Sequence, residues 1–213
     1  MAILLIQSIA FTSGNASRIV KATPLSVSCG NATSIHCYGL QDWFGDVGAK
    51  TSITIVPLTC NNSGGGCGII TNEMWLLDIA NTGCTFDDDQ CWVEVGYWNA
   101  PGNGYSESYF WADNRPGSLV IIHFFGDIPA GDYNVPTAFS IARDCGSACY
   151  DVNVTGAKDS FHGLSTNNTM NPTGYYSRIQ IGMELAGSNS DAASAPRAYF
   201  TYNQYENPAG VWS

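Results

Sequence analysis

Nine short segments with strand character, separated by turn clusters, constrain the fold of this chain most strongly. The turn clusters at 61–66, 99–104 and 114–117 are rich in Gly, Asn and Pro, and no stretch keeps a helical period. This pattern predicts an all-β domain, either a sandwich, a jelly roll or a barrel. The predicted strands cover residues 52–58, 68–78, 91–98, 105–112, 119–125, 137–142, 149–154, 175–185 and 198–205.

The charge balance excludes some classes of partner. The 213 residues carry 8 Lys plus Arg against 18 Asp plus Glu, for a net charge of -10. A nucleic-acid partner requires a basic surface, so none is predicted. Charged residues make up only 12% of the chain, about half the globular average. This profile is typical of a secreted β-protein, and we predict an extracellular or cell-surface location.

The eight cysteines fall in four close couples, which predicts disulfides that each close one loop. An oxidising compartment follows. Zinc is the alternative, but no CxxC motif occurs and the three histidines are scattered, so we predict no metal site. The predicted bridges are Cys29–Cys37, Cys60–Cys67, Cys84–Cys91 and Cys145–Cys149. Glycosylation sequons, which agree with secretion, occur at Asn15, Asn31, Asn61, Asn153 and Asn167.

Residues 1–36 differ from the rest and are predicted to form an N-terminal arm, with the disulfide-stapled sandwich at 37–213. Residues 2–11 are apolar, uncharged and rich in strand formers. The run is too short to span a bilayer. Such a strand could pair either with the sheet of its own domain or with a sheet edge of a neighbouring copy.

Residues 91–98 alternate as a strand but place a carboxylate among aromatic residues. Trp92, Glu94, Gly96 and Trp98 share one face of this strand. We expect Gly96 to leave the space beside Glu94 open. This face is then either a groove that contains an acid or a solvated face on which Glu94 is merely polar.

The order of five motifs resembles the strand series of the neprosin family and, more distantly, the eqolisin glutamic peptidases and uncharacterised secreted actinobacterial proteins. The resemblance covers roughly residues 45–212. It implies a two-sheet antiparallel sandwich of the concanavalin-like kind, with Glu94 and Glu184 at the positions of the catalytic glutamate pair on neighbouring strands. The stretch after the second glutamate is shorter than in neprosin. The motifs are 71–77 (TNEMWLL), 93–98 (VEVGYW), 109–113 (YFWAD), 181–185 (IGMEL) and 198–200 (AYF).

Two carboxylates that lie close together share a proton, because ionising both is unfavourable. Such a pair can hydrolyse a bond without a metal or cofactor.

The many aromatic residues would also suit a sugar-binding groove, for which Trp92, Trp98 and Trp111 are candidates. Three consecutive acids, Asp87 to Asp89, are a weaker candidate for calcium.

Three functions therefore remain open. The first hypothesis is a non-enzymatic extracellular subunit that inserts its N-terminal strand into the next copy and forms a head-to-tail filament. The second is a secreted, acid-acting glutamic endopeptidase that uses Glu94 and Glu184. The third is a lectin-like sandwich that binds glycans. The side chains that would bury the inserted strand are Ile3, Leu4, Leu5, Ile6, Ile9 and Phe11.

Overall fold

The computed structural model describes residues 35–61, 69–78, 91–100, 105–114, 120–143, 149–166, 177–187, 192–194 and 198–213. These residues form thirteen β-strands and no helix. In chain order the strands are β1 (Ile35–Phe44), β2 (Gly48–Thr54), β3 (Thr59–Asn61), β4 (Ile69–Asp78), β5 (Cys91–Ala100), β6 (Tyr105–Asn114), β7 (Ile121–Asp127), β8 (Pro136–Ala142), β9 (Tyr150–Thr155), β10 (Ser160–Ser165), β11 (Ser177–Gly187), β12 (Ala192–Ser194) and β13 (Phe200–Glu206).

Two antiparallel sheets pack face to face, which confirms the predicted sandwich. The six-stranded sheet has the order β1-β11-β4-β5-β6-β7, and the five-stranded sheet has the order β10-β9-β8-β2-β13. A small antiparallel pair, β12-β3, stands apart from both. Each large sheet keeps two edge strands, so neither closes into a barrel.

The core lies between the sheets because alternate side chains of each strand point inward. Met74 and Leu76 of β4 and Val93 and Val95 of β5 meet residues such as Phe139 of the five-stranded sheet. Ser165 of β10 donates to Asp113 of β6 at 2.7 Å, which joins the two sheets by a buried hydrogen bond. Tyr109 of β6 donates to Asp132, in the connection between β7 and β8, at 2.8 Å. The sheets are therefore held by buried hydrogen bonding as well as by apolar packing.

The sequence analysis did not predict β3, β10 and β12, and its strand predictions differ from the structure in two further places. The segment predicted at 52–58 is a strand only as far as Thr54. Beyond it, Val56 and Leu58 give their backbone N–H groups to the side chains of Tyr97 and Glu107 instead of to a neighbouring strand. The other difference is β1, which begins at Ile35, within the residues assigned to the arm, and pairs along its full length with β11.

Several predictions fall on residues outside those described. They include the assembly strand at 2–11, the acids Asp87 to Asp89, at least one cysteine of every predicted couple and the sequons at Asn15, Asn31 and Asn167. Cys91 and Cys149 are each disulfide-bonded, while the pairing itself stays a prediction. Asn153 lies on β9 and Asn61 on β3, and their glycosylation stays a prediction. In the part of the chain that the structure describes, no helix could cross a membrane.

Candidate active site

The candidate site lies on the outer face of the six-stranded sheet, the face turned away from the core. Here the outward residues of β4 and β5 form a second apolar cluster. Trp92, Glu94, Gly96 and Trp98 lie on this face, as predicted, because Val93, Val95 and Tyr97 between them point into the core. Glu94 is only 7% exposed, so this part of the face is not solvated.

Three glutamates meet on this face through the strand register. Glu73 of β4 lies opposite Gly182 of β11 on one side and Gly96 of β5 on the other. Glu184 lies opposite Thr71, two residues before Glu73, and Glu94 lies opposite Trp75, two residues after it. The acids therefore form a diagonal line across β11, β4 and β5. Diagonal neighbours have Cα atoms about 7 to 8 Å apart, within reach of long side chains.

Gly96 brings β4 and β5 unusually close beside Glu73. A Cβ atom at Gly96 would lie 2.4 Å from the carbonyl oxygen of Asn72 and 2.5 Å from the Cβ of Glu73. The expectation that Gly96 leaves open space beside Glu94 is therefore wrong, because Glu73 occupies that space. With glycine on both flanking strands, no side chain separates Glu73 from the two diagonal acids.

Glu73 is fully buried, and its carboxyl has little stabilisation in the charged form. Burial raises the pKa of Glu73 well above its ordinary value of 4.5, and the charges of Glu94 and Glu184 raise it further. The hydroxyl of Thr71 donates to Oε1 of Glu73 and lowers the pKa by a smaller amount. Glu73 therefore holds a proton at pH values where an exposed glutamate is ionised.

The proton on Glu73 has a natural acceptor in Glu184. Oε2 of Glu73 receives no hydrogen bond from the described residues. When protonated, it can donate to the Glu184 carboxylate, and a hydrogen bond between these side chains raises the pKa of Glu73. The Thr71 hydroxyl also accepts from the backbone N–H of Glu184 at 3.3 Å. The Thr71 hydroxyl thus contacts both Glu73 and Glu184.

Indole and phenyl rings border the acids on the side away from β11. Trp98 lies 4.5 Å from Phe124 and 5.9 Å from Phe110 between ring centroids. Trp92 and Trp98 are buried, whereas Glu184 is partly exposed. Solvent therefore reaches the acid line at the Glu184 end, and the aromatic end is closed.

The structure separates some residues that the sequence grouped together. Glu94 and Glu184 are not on neighbouring strands, because β4 lies between β5 and β11. Trp111 lies on the opposite face from Trp92 and Trp98, where it stacks on His123 at 4.0 Å within the core. Within the described residues, no group of three His, Cys, Asp or Glu side chains could hold a metal ion.

Glu73 is the residue that the sequence analysis missed. A signal was present, since residues 71–73 are polar within a strand whose other residues up to Leu77 are apolar. That polarity alone does not distinguish an exposed strand end from a buried acid. What identifies Glu73 is the position of β4 between the two other acid-bearing strands.

Comparison with known proteins supports the fold and no more. No family model and no curated protein matches this chain. Among solved structures, SCP-B of the eqolisin family, in complex with the tripeptide Ala-Ile-His, is 10% identical with a TM-score of 0.50, covering 84% of this chain and 81% of that chain. Scytalido-glutamic peptidase with a transition-state analogue is 12% identical with a TM-score of 0.45, covering 83% and 82%.

A third similar solved structure belongs to an enzyme of a different class. The catalytic domain of an endo-1,3-beta-glucanase (laminarinase) from Thermotoga petrophila RKU-1 is 12% identical with a TM-score of 0.44, covering 82% of this chain and 69% of that chain. At the level of the fold, the sandwich is similar to SCP-B, in agreement with the resemblance to the eqolisin peptidases. Identities this low establish the fold alone.

Proposed function

We propose that this protein is a hydrolase that acts at acidic pH and uses the three neighbouring glutamates, Glu184, Glu73 and Glu94, to cleave peptide bonds. The observation that carries the proposal is the buried Glu73 carboxyl, which keeps a proton between Glu94 and Glu184. Perturbed acids that share a proton are typical of active sites, and they are costly to retain as purely structural groups.

Glu184 is the residue we assign to contact the substrate. It is the partly exposed member of the three, and its side chain is next to the protonated Glu73. Glu73 has no exposed surface, so we assign it as a positioning residue that shares its proton with Glu184. Glu94 contributes negative charge that keeps the proton on the pair.

The shared proton allows hydrolysis without a metal. The pair begins with one proton. Glu184 takes a proton from a water molecule while the oxygen of that water attacks the carbonyl carbon of the substrate. The pair then returns one proton to the leaving nitrogen as the C–N bond breaks. The pair ends with one proton, so no further donor is needed. Such a cycle requires the pair to be singly protonated, which favours acidic pH.

The choice of peptide over polysaccharide rests on the resemblance to the neprosin and eqolisin families. A carboxyl pair can also cleave a glycosidic bond. The two substrate classes are therefore tested side by side.

The experiment measures cleavage of a denatured protein and of a β-1,3-glucan from about pH 3 to 5, where a shared carboxyl proton is retained. We expect cleavage of the protein substrate, and Glu184→Gln to lower the rate by about 10²- to 10⁴-fold. Glu94→Gln should instead move the alkaline limb of the pH profile to lower pH, because the pair loses its proton more easily without the charge of Glu94. Glu107→Gln is the matched control, because Glu107 accepts from Leu58 and Tyr133 on the other face of the sheet.

Three outcomes would count against this proposal. Absence of protein cleavage by the wild type over the whole pH range would remove the hydrolase. Cleavage of the glucan alone would keep the acid pair and replace the peptide substrate. Equal losses in Glu184→Gln and Glu107→Gln would mean that the activity reflects folding and not this site.

A further inference from the structure

Two apolar side chains of the edge strand β7 lie on the same face of the sheet as the three glutamates. Ile122 lies opposite Ala112 of β6, and Ala112 lies opposite Glu94 of β5. Phe124 lies opposite Phe110, a member of the outer apolar cluster. Because directly opposite residues share a face, Ile122 and Phe124 point to the outer side, two strands away from Glu94.

These two side chains are exposed although they adjoin a buried cluster. Ile122 is 40% exposed and Phe124 is 45% exposed. The ring of Phe124 nevertheless packs against Trp98, which is buried and borders the acids, with 4.5 Å between the ring centroids. Single exposed apolar side chains are common on protein surfaces, but a pair that continues a buried cluster on the face of a candidate site is typical of a binding surface.

We propose that Ile122 and Phe124, here called the β7 patch, bind an apolar side chain of the peptide substrate and so determine specificity. The patch has this role only if the protein is the proposed peptidase. Neither side chain of the patch carries a charge or a hydrogen-bonding group, so its chemistry fits an apolar occupant. Such a contact also persists at acidic pH, where carboxylates of a substrate lose the charge that ionic recognition would need.

The arrangement of the acids indicates the path of the substrate. Glu184 is on β11, Glu73 on β4 and Glu94 on β5, so the acids run across the strands toward β7. From β11 to β7 there are four strand spacings of about 4.8 Å, or about 19 Å in total. An extended peptide rises about 3.3 Å per residue, so about six residues separate the bond cleaved at Glu184 from the residue on the patch.

The experiment compares the wild type with two variants, Ile122→Ser and Phe124→Ser. A mixture of denatured proteins is digested at acidic pH, and the cleaved bonds are mapped by mass spectrometry. We expect the wild type to favour apolar residues about six positions from the cleaved bond on one side, and each variant to lose this preference. With a synthetic peptide that carries Leu at that position, KM should rise about 10-fold in each variant. The loss should lie in KM and not in kcat, because the contact is made equally in the ground state and the transition state.

The matched control is Ile121→Ser. Ile121 is 43% exposed on the same strand, but it lies opposite Asp113 and points to the inner face. This variant should keep both the preference and the KM of the wild type. Cleavage without an apolar preference at that distance, or the same KM shift in all three variants, would overturn the assignment of the patch and leave the peptidase intact. Absence of peptide cleavage by the wild type would instead reject the peptidase, and the role of the patch with it.

Discussion

Tyr97 and Glu73 are buried polar residues on adjacent strands, and they point to opposite faces of the six-stranded sheet. On the inner face, the Tyr97 hydroxyl accepts from the Val56 N–H at 3.1 Å and from the Asn72 amide at 2.8 Å, and it donates to the Val56 carbonyl. On the outer face, the Glu73 carboxyl has the Thr71 hydroxyl and two neighbouring acids that oppose its ionisation. The hydrogen-bonding groups of Tyr97 are therefore satisfied, whereas the surroundings of Glu73 oppose its ionisation.

The largest expected effect concerns the outer face. Replacing Glu73 by Gln removes the shared proton while preserving size, so we expect acid hydrolysis to fall by about 10²- to 10⁴-fold. The measurement is kcat/KM across the acidic pH range. Glu73→Asp should keep part of the activity with a shifted pH profile. Full activity in Glu73→Gln would mean that the reaction does not use Glu73, and that Glu73, like Tyr97, has only a structural role.

The next effect tests the close approach of β4 and β5. Gly96→Ala introduces a Cβ that would overlap the Asn72 carbonyl oxygen and the Glu73 Cβ, and backbone cannot move aside cheaply. We expect a loss of about 3 kcal/mol in the free energy of unfolding, measured by urea denaturation. Gly131→Ala is the control, because its Cβ would meet only the flexible end of Lys158 at 3.2 Å. Equal losses in both variants would contradict the proposed strand contact.

A smaller effect is expected on the inner face. Tyr97→Phe leaves the Val56 N–H and the Asn72 amide without their acceptor, which should cost about 1 to 2 kcal/mol of stability. The pH profile of activity should stay unchanged because Tyr97 points away from the acids. A shifted profile would show that the two faces are coupled through Asn72 and Glu73.

The smallest effect is the pH dependence of stability. Because the pKa of Glu73 is raised in the folded state, its stabilising contribution is complete below the unfolded value near 4.5 and is lost as pH rises through the folded value. One proton gives a slope of at most about 1.4 kcal/mol per pH unit. Urea denaturation at several pH values should show this decline in the wild type and a flatter profile in Glu73→Gln. Identical profiles would mean that Glu73 ionises normally.

The alternation of residues 91–98 was enough to predict which side of β5 carries Glu94, since a period of two fixes the face. It was not enough to predict the partner of Glu94. The order β11-β4-β5 depends on pairing between segments more than 90 residues apart, such as Ile181 with Met74. Glu73 becomes a neighbour of both other acids only through that long-range order.

One strand that the sequence analysis missed, β10, has a local composition that does not favour a strand. β10 contains two Ser, a His and a Gly in six residues, and it is held in place by its pairing with β9. Gly163 within it is required by packing, because a Cβ there would lie 2.3 Å from Nε1 of Trp111. Tertiary contacts thus override weak propensity in this strand.

The missing side chain at Gly96 also offers a way to sort related sequences. Since any larger residue at that position would press on the Asn72 carbonyl oxygen and on the Cα and Cβ atoms of residue 73, a relative that carries alanine or valine there should hold β4 and β5 further apart. The diagonal arrangement of the three acids is then expected only in relatives that keep glycine at 96.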